Sequence, residues 1–159
     1  MDSLHIDRAT SADLDALVPL FAGYLRFYDR SVDKARIAVF LGERLARGES
    51  VVFLARHGGR PVGFVQLYPA FASLSLARSW ILNDLYVLPE ARGHGAGRGL
   101  MQAARDLARE TGAAELFLQT ARDNTAAQQL YETLGWVRDD EFLVYTLDPR
   151  DTGAVPTPT

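Results

Sequence analysis

Three glycines at alternate positions, Gly93, Gly95 and Gly97, follow Arg92 in the stretch RGHGAG. Such a stretch gives up side-chain packing and backbone order, so something must approach its main chain closely, or it is an ordinary turn. If a strand precedes it and a helix follows, free N–H groups at the helix start point outward and the helix dipole favours negative charge. Arg92 adds a planar cation suited to phosphate. The stretch is therefore read as an anion cradle, with a plain strand-to-helix connection as the alternative. Just upstream, WILNDLYV interrupts an apolar run with Asn83 and Asp84. Aspartate can accept a proton, whereas asparagine can only orient a water.

Two common phosphate motifs are absent. The dinucleotide fingerprint needs a glycine three positions after its second glycine, but that count reaches Arg98 or Leu100. The nucleoside triphosphate loop needs a Gly-Lys-Ser/Thr ending, and the one lysine is the distant Lys34. The chain has 159 residues, no cysteine, three histidines without metal-ligand spacing, and a formal net charge of -3. These features exclude disulfides, thiolate metal sites and a cysteine nucleophile, and they disfavour a broad nucleic-acid footprint. No metal site is expected. No apolar run approaches membrane-spanning length and no leader pattern opens the chain, so a soluble, cytoplasmic protein is expected, with no membrane and no nucleic-acid partner.

The elements that must position these residues are legible from periodicity. LHIDR alternates as a strand, and TSAD resembles a capping box. A helix with Leu14, Leu17, Val18, Phe21, Leu25 and Tyr28 inward follows, interrupted at Pro19, where it should kink or split. A second helix spans about Asp33 to Arg47, with Ile37, Phe40, Leu41 and Leu45 inward. SVVFLAR and PVGFVQLYP form a hairpin about HGGR. Residues 79–89 form a longer strand on which Trp80, Leu82, Asp84 and Tyr86 share one face. A helix from about Ala96 to Thr111, a strand AELFLQTA and a helix after Asn124 come next. WVRDDEFLVYTLD is expected to close the fold as a hairpin. Residues 1–149 are read as a single domain and 150–159 as a disordered tail. The fold class is α/β, with a mixed, mostly antiparallel sheet that turns parallel around the glycine loop.

At this point the sequence resembles the GNAT superfamily of N-acetyltransferases, nearest its polyamine and histone-type members. One signature is Arg/Gln-x-x-Gly-x-Gly/Ala after a central strand, matched by Arg92-Gly93-His94-Gly95-Ala96-Gly97. The other is an asparagine opening a helix that ends Tyr-x-x-x-Gly-Trp/Phe, matched by Asn124, Tyr131, Gly135 and Trp136. The resemblance implies helices flanking a sheet whose central strands splay at the donor site, and acetyl-CoA as donor. Its pyrophosphate would lie on the amides of Arg92, Gly93, His94, Gly95, Ala96 and Gly97. Its pantetheine arm would run along Leu85, Tyr86 and Val87 and meet Asn124, with Tyr131 near the sulfur.

Direct transfer to an amine sets three tasks. An alkylammonium, with a pKa of about 10.4, must lose a proton. The carbonyl oxygen needs a donor, such as the Val87 amide. The leaving thiolate needs an acid, and Tyr131 is the match the resemblance implies. The place where the resemblance implies a glutamate base holds Asn83, so deprotonation is expected through water held by Asn83 or by way of Asp84. The first two helices would wall the acceptor site, with Tyr24, Phe27 and Tyr28 as candidates, and Trp80 beside the loop AFASLSLAR. Aromatic rings with a carboxylate suit an ammonium: a polyamine, another small amine, or a lysine or N-terminal amine of a peptide. A homodimer is a further expectation of the resemblance. The alternative function is a non-catalytic acyl-CoA-binding or sensing domain.

Overall fold

The computed structural model describes residues 3–151 and 153. It divides after Asn124 into two compact units. In the first, the order is β1 (Leu4–Arg8), α1 (Leu14–Phe27), α2 (Lys34–Ala46), β2 (Val51–His57), β3 (Arg60–Ala72), β4 (Ala77–Val87), α3 (Ala96–Glu110) and β5 (Glu115–Phe117). The five strands form one sheet in sequence order. All neighbours run antiparallel except β4 and β5.

Local chemistry explains the main boundaries. Thr10 and Asp13 form the expected capping box ahead of α1, and Asp13 also pairs with Arg56 of β2 at 3.0 Å. This joins the start of the helix to the sheet. Helix α1 runs through Pro19 as one element, without the split its sequence suggested. Asp33 caps α2 by accepting from the Ala35 N–H. Gly58 and Gly59 both take positive φ in the β2–β3 turn, at 53° and 81°, which is what a two-residue hairpin turn requires.

Two layers cover the sheet. Leu17, Phe21, Ile37 and Leu41 of α1 and α2 pack with Val52, Leu54, Phe64 and Tyr86 of the sheet. Helix α3 contributes Ala96, Leu100, Met101, Ala104, Leu107 and Ala108, all buried. A side chain on Gly99 would meet Ile6 of β1 at 3.2 Å, which places α3 against the opposite side of the sheet.

Strand β4 departs from strict alternation. Gln66 pairs with Asp84, yet the next residue, Leu67, pairs with Leu82, so Asn83 is an extra residue in the ladder. Cross-strand partners share a face and successive residues do not. The bulge therefore puts Leu82 and Asp84 on opposite faces. Trp80 and Leu82 turn toward α3, and the Trp80 indole N–H donates to Thr111 at the end of that helix. Asp84 and Tyr86 turn toward α1. The expectation that all four share one face is thereby corrected.

Other expectations shift as well. Phe40 is exposed, with the Arg44 guanidinium 4.8 Å from its ring centroid. The strand expected over AELFLQTA contracts to three residues, paired with Ser79–Ile81 alone.

The second unit holds α4 (Thr125–Thr133). Its end is a Schellman motif: Gly135 has φ 93°, the Trp136 N–H reaches the Tyr131 carbonyl, and the Gly135 N–H reaches that of Glu132. The closing hairpin expected over residues 136–148 is absent, since no strand is formed among them. Asp139 instead accepts from the Glu141 N–H at 2.8 Å, a local turn that competes with a ladder. Of the tail expected from residue 150, all but Arg150, Asp151 and Gly153 lies outside the described residues.

A methyl group on Gly63 would stand 2.7 Å from the Tyr86 carbonyl oxygen and 3.1 Å from Val87. The obstacle is largely backbone, so Gly63→Ala is expected to destabilise the protein by about 1–3 kcal/mol. Urea unfolding of the variant measures this; an unchanged midpoint would show that β4 yields.

Candidate active site

The glycine loop adopts the conformation its composition demands. Gly93 and Gly95 have φ of 81° and 88°, in the left-handed region that other residues resist. His94, between them, is exposed, and its ring lies 6.2 Å from that of His57. Ala96 begins α3, and the first intrahelical bond runs from the Gly99 N–H to the Gly95 carbonyl. The N–H groups of Ala96, Gly97 and Arg98 precede that bond and have no acceptor within the helix. A Cβ on Gly93 would meet nothing within 4 Å, so the main chain there is open to a ligand.

Beside the loop, the sheet is incomplete on one side. β4 pairs with β5 only at Ser79–Ile81, just before the bulge. Leu82–Val87 continue along β3 without a β5 partner among the described residues. The strands thus part where Leu85, Tyr86 and Val87 run toward the loop. Arg92 does not open toward the loop. Its Nε donates to the Val87 carbonyl at 3.0 Å, and its guanidinium carbon lies 5.9 Å and 6.0 Å from the Phe27 and Tyr86 ring centroids. It ties the loop back to β4 on the α1 side.

On that side the bulge presents a buried carboxylate. Asp84 is 5% exposed. Gln66 Nε2 donates to its Oδ2 at 2.8 Å, and Asn83 Nδ2 to its Oδ1 at 3.1 Å. No Arg, Lys or His forms an ion pair with it among the described residues. Two phenols register the charge. Burial, and then Asp84, push Tyr68 up to about 12, while Arg44 partly opposes this. Burial, followed by the charge and hydrogen bonding of Asp84, raises Tyr24 further still. Both remain neutral hydroxyls at physiological pH.

The helical stripe reads differently from its spacing. Tyr24, expected off the packed face, stacks among Phe21, Phe64 and Tyr86. Tyr28, expected to pack inward, is 46% exposed because α1 ends at Phe27. Phe27 is exposed as expected. Trp80 is buried on the α3 face, away from Tyr24 and Tyr28. Asn124 immediately precedes α4, and its N–H reaches the Ala121 carbonyl. In the second unit, Tyr131 lies in the last turns of α4, with its ring 6.1 Å from that of Trp136. Sequence reasoning missed Gln66, since a glutamine inside an apolar strand carries no chemical signature until its register against Asp84 is known.

A helix begun by positive-φ glycines, beside parted parallel strands, has a counterpart among known proteins. The model of the acetyltransferase (GNAT) family matches residues 15–136. The chain belongs to the GNAT family of acetyltransferases. It is 43% identical over 145 residues to the uncharacterized N-acetyltransferase YhfO of Bacillus subtilis (strain 168), covering 91% of this chain and 97% of that one. A crystal structure of a probable acetyltransferase superposes with a TM-score of 0.87 at 46% identity, over 92% of this GNAT chain and 99% of the other. An aminoglycoside N-acetyltransferase in complex with CoA shares the fold, with a TM-score of 0.78 at 18% identity over 92% and 96% of the two chains.

The raised phenols give this acetyltransferase a pH signature. The unfolded chain releases the Tyr68 proton near the ordinary value of 10.0, and the folded one near about 12. The folded state therefore holds the proton more tightly. That contribution is complete below pH 10 and is lost as pH rises to 12. Thermal unfolding across this window is expected to show Tyr68→Phe losing stability less steeply than the parent; parallel slopes would show that Tyr68 titrates as a free phenol.

Proposed function

We propose that this acetyltransferase moves the acetyl group of acetyl-CoA to a primary amine, with Asp84 taking the amine's proton. The observation that supports this most directly is the buried Asp84 carboxylate. Among the described residues it has no cationic partner, and it lies on β4 beyond the residues that pair with β5.

The residues present suit the donor. The glycine loop offers main-chain N–H groups where a side chain would intrude, and the helix start favours the negative pyrophosphate. Arg92, Gly93, His94, Gly95, Ala96 and Gly97 form this cradle in our reading, with Arg92 bracing it from β4. The unpaired edge of Leu85, Tyr86 and Val87 offers strand-like bonds to the pantetheine amides, and Asn124 adds a further contact. Acetyl-CoA, when bound, supplies a thioester carbonyl to a neutral amine.

The chain's own groups then have defined tasks. The ammonium nitrogen gives a proton to Asp84 and becomes nucleophilic. Asn83 cannot take that proton, but its amide holds the carboxylate from the open side of the strand. The nitrogen–carbon bond forms as the carbon–sulfur bond breaks, the acylated nitrogen gives its second proton to water, and the sulfur takes one to end as a thiol. Tyr131 is assigned the proton donated to sulfur on the strength of the resemblance. Tyr24, Phe27 and Tyr28 are the acceptor-side aromatics, and an ammonium matches both their rings and the uncompensated carboxylate. Trp80 is left out because it stands on the other face.

The test is thiol release from acetyl-CoA over a panel of polyamines, aminoglycosides and lysine-bearing peptides. One cationic class is expected to be turned over. With that acceptor, Asp84→Asn should lower kcat by about 10²-fold or more, and Tyr131→Phe should also slow turnover. Full turnover by Asp84→Asn would contradict the base assignment, and an unaltered rate in Tyr131→Phe would remove the acid.

A further inference from the structure

Gln66 is a polar side chain in the middle of β3 with no exposed surface at all. Burying an amide so completely is costly unless its groups are bonded. One half is satisfied: Nε2 donates to Asp84 Oδ2 at 2.8 Å. The other half is not, since Oε1 is buried without a partner. The amide's one short bond is therefore to Asp84, accompanied by a weaker interaction with the Tyr68 hydroxyl that acts against the rise in that phenol's pKa. The reverse orientation would set two acceptors against each other at the same distance. A core position that served packing alone would favour an apolar residue of similar volume, as at its neighbours Val65 and Leu67, which are also fully buried.

The surroundings restrict what else Gln66 can serve. From α1, Tyr24 bears on Asp84; from β3, Tyr68 does, and Arg44 of α2 acts on Tyr68. Asn83 holds the second carboxylate oxygen. Each of the two oxygens of Asp84 thus receives an amide N–H from a different strand, one from β3 and one from β4. Two amide donors on two oxygens, with the Tyr24 hydroxyl as a further partner, fix the rotation of the carboxylate plane more closely than any one of them would.

We propose that Gln66 is a positioning residue of the transfer reaction, holding the Asp84 carboxylate at the angle from which it takes the acceptor's proton. This rests on the reading of Asp84 as the proton acceptor. Gln66 touches neither the donor nor the amine; its effect passes through Asp84. That route has a consequence a purely structural role lacks: without the carboxylate, Gln66 has nothing left to orient.

A double-mutant cycle separates the two roles. Gln66→Met keeps the approximate volume and removes the amide. It is expected to lower kcat about tenfold or more while leaving the KM for acetyl-CoA unchanged. In an Asp84→Asn background the same substitution should alter kcat by less than about twofold. Losses that multiply, or an unchanged kcat in Gln66→Met, would overturn the proposal. If Asp84→Asn itself turns over like the parent, the base assignment fails and the role of Gln66 fails with it. Thermal unfolding reports whether the variants fold. Gln66→Asn, which keeps the amide but withdraws it by one methylene, should show the same dependence on Asp84 should Gln66→Met unfold.

Discussion

Asn83 is one residue more than β3 can pair with, and the arrangement of the first unit follows from where that extra residue sits. Upstream of it, β4 sends Trp80 to the end of α3 and still holds β5. Downstream, the same strand sends Asp84 and Tyr86 to α1 and has lost β5. A regular strand would have buried Asp84 under α3 and turned Asn83 and Leu85 toward the aromatics of α1. A bulge costs a pair of ladder bonds, and its presence beside a buried carboxylate and a parted sheet fits the habit of bulges near active sites.

The two sides of β4 then carry separate duties in the proposed reaction. The strand's free edge and the glycine loop that follows it offer main-chain donors, which suit phosphates and amides shared by any acyl-CoA. The α1 face offers a carboxylate and phenols, which suit a cation. Arg92 links the two, because it belongs to the loop yet lies against Phe27 and Tyr86. Donor grip and acceptor recognition are therefore mechanically adjacent, though different side chains perform them.

Much of this was legible from residue types. The hairpin at HGGR, the capping box, the helix from Ala96 and the glycine loop all follow local rules, and the structure reproduces them. What periodicity could not show was the bulge. Alternation assumes one residue per pleat, and a single extra residue inverts every assignment beyond it. That is why Trp80 was grouped with Asp84 and now stands apart. Tyr28 left the packed stripe because α1 ends one residue before it, so helical spacing no longer applied there, while Tyr24 packs against Phe21, Phe64 and Tyr86 from within the helix. Gln66 needed register, which one strand cannot reveal. The hairpin expected over 136–148 failed for a related reason: apolar content marks a segment able to be a strand, but a strand exists only with a partner. The family itself was recognisable because its signature lies in glycines and a helix cap, which depend on local backbone geometry.

The central claim is that the loop from Arg92 to Gly97 and the free edge of β4 together hold the donor. Backbone amide shifts, followed by NMR during titration with coenzyme A, test it without any knowledge of the acceptor. The account predicts saturable shifts concentrated at Gly93, Gly95, Ala96 and Gly97 and along Leu85–Val87, with β1 and β2 little affected. Binding that leaves these amides unmoved, or an absence of binding at millimolar coenzyme A, would contradict it.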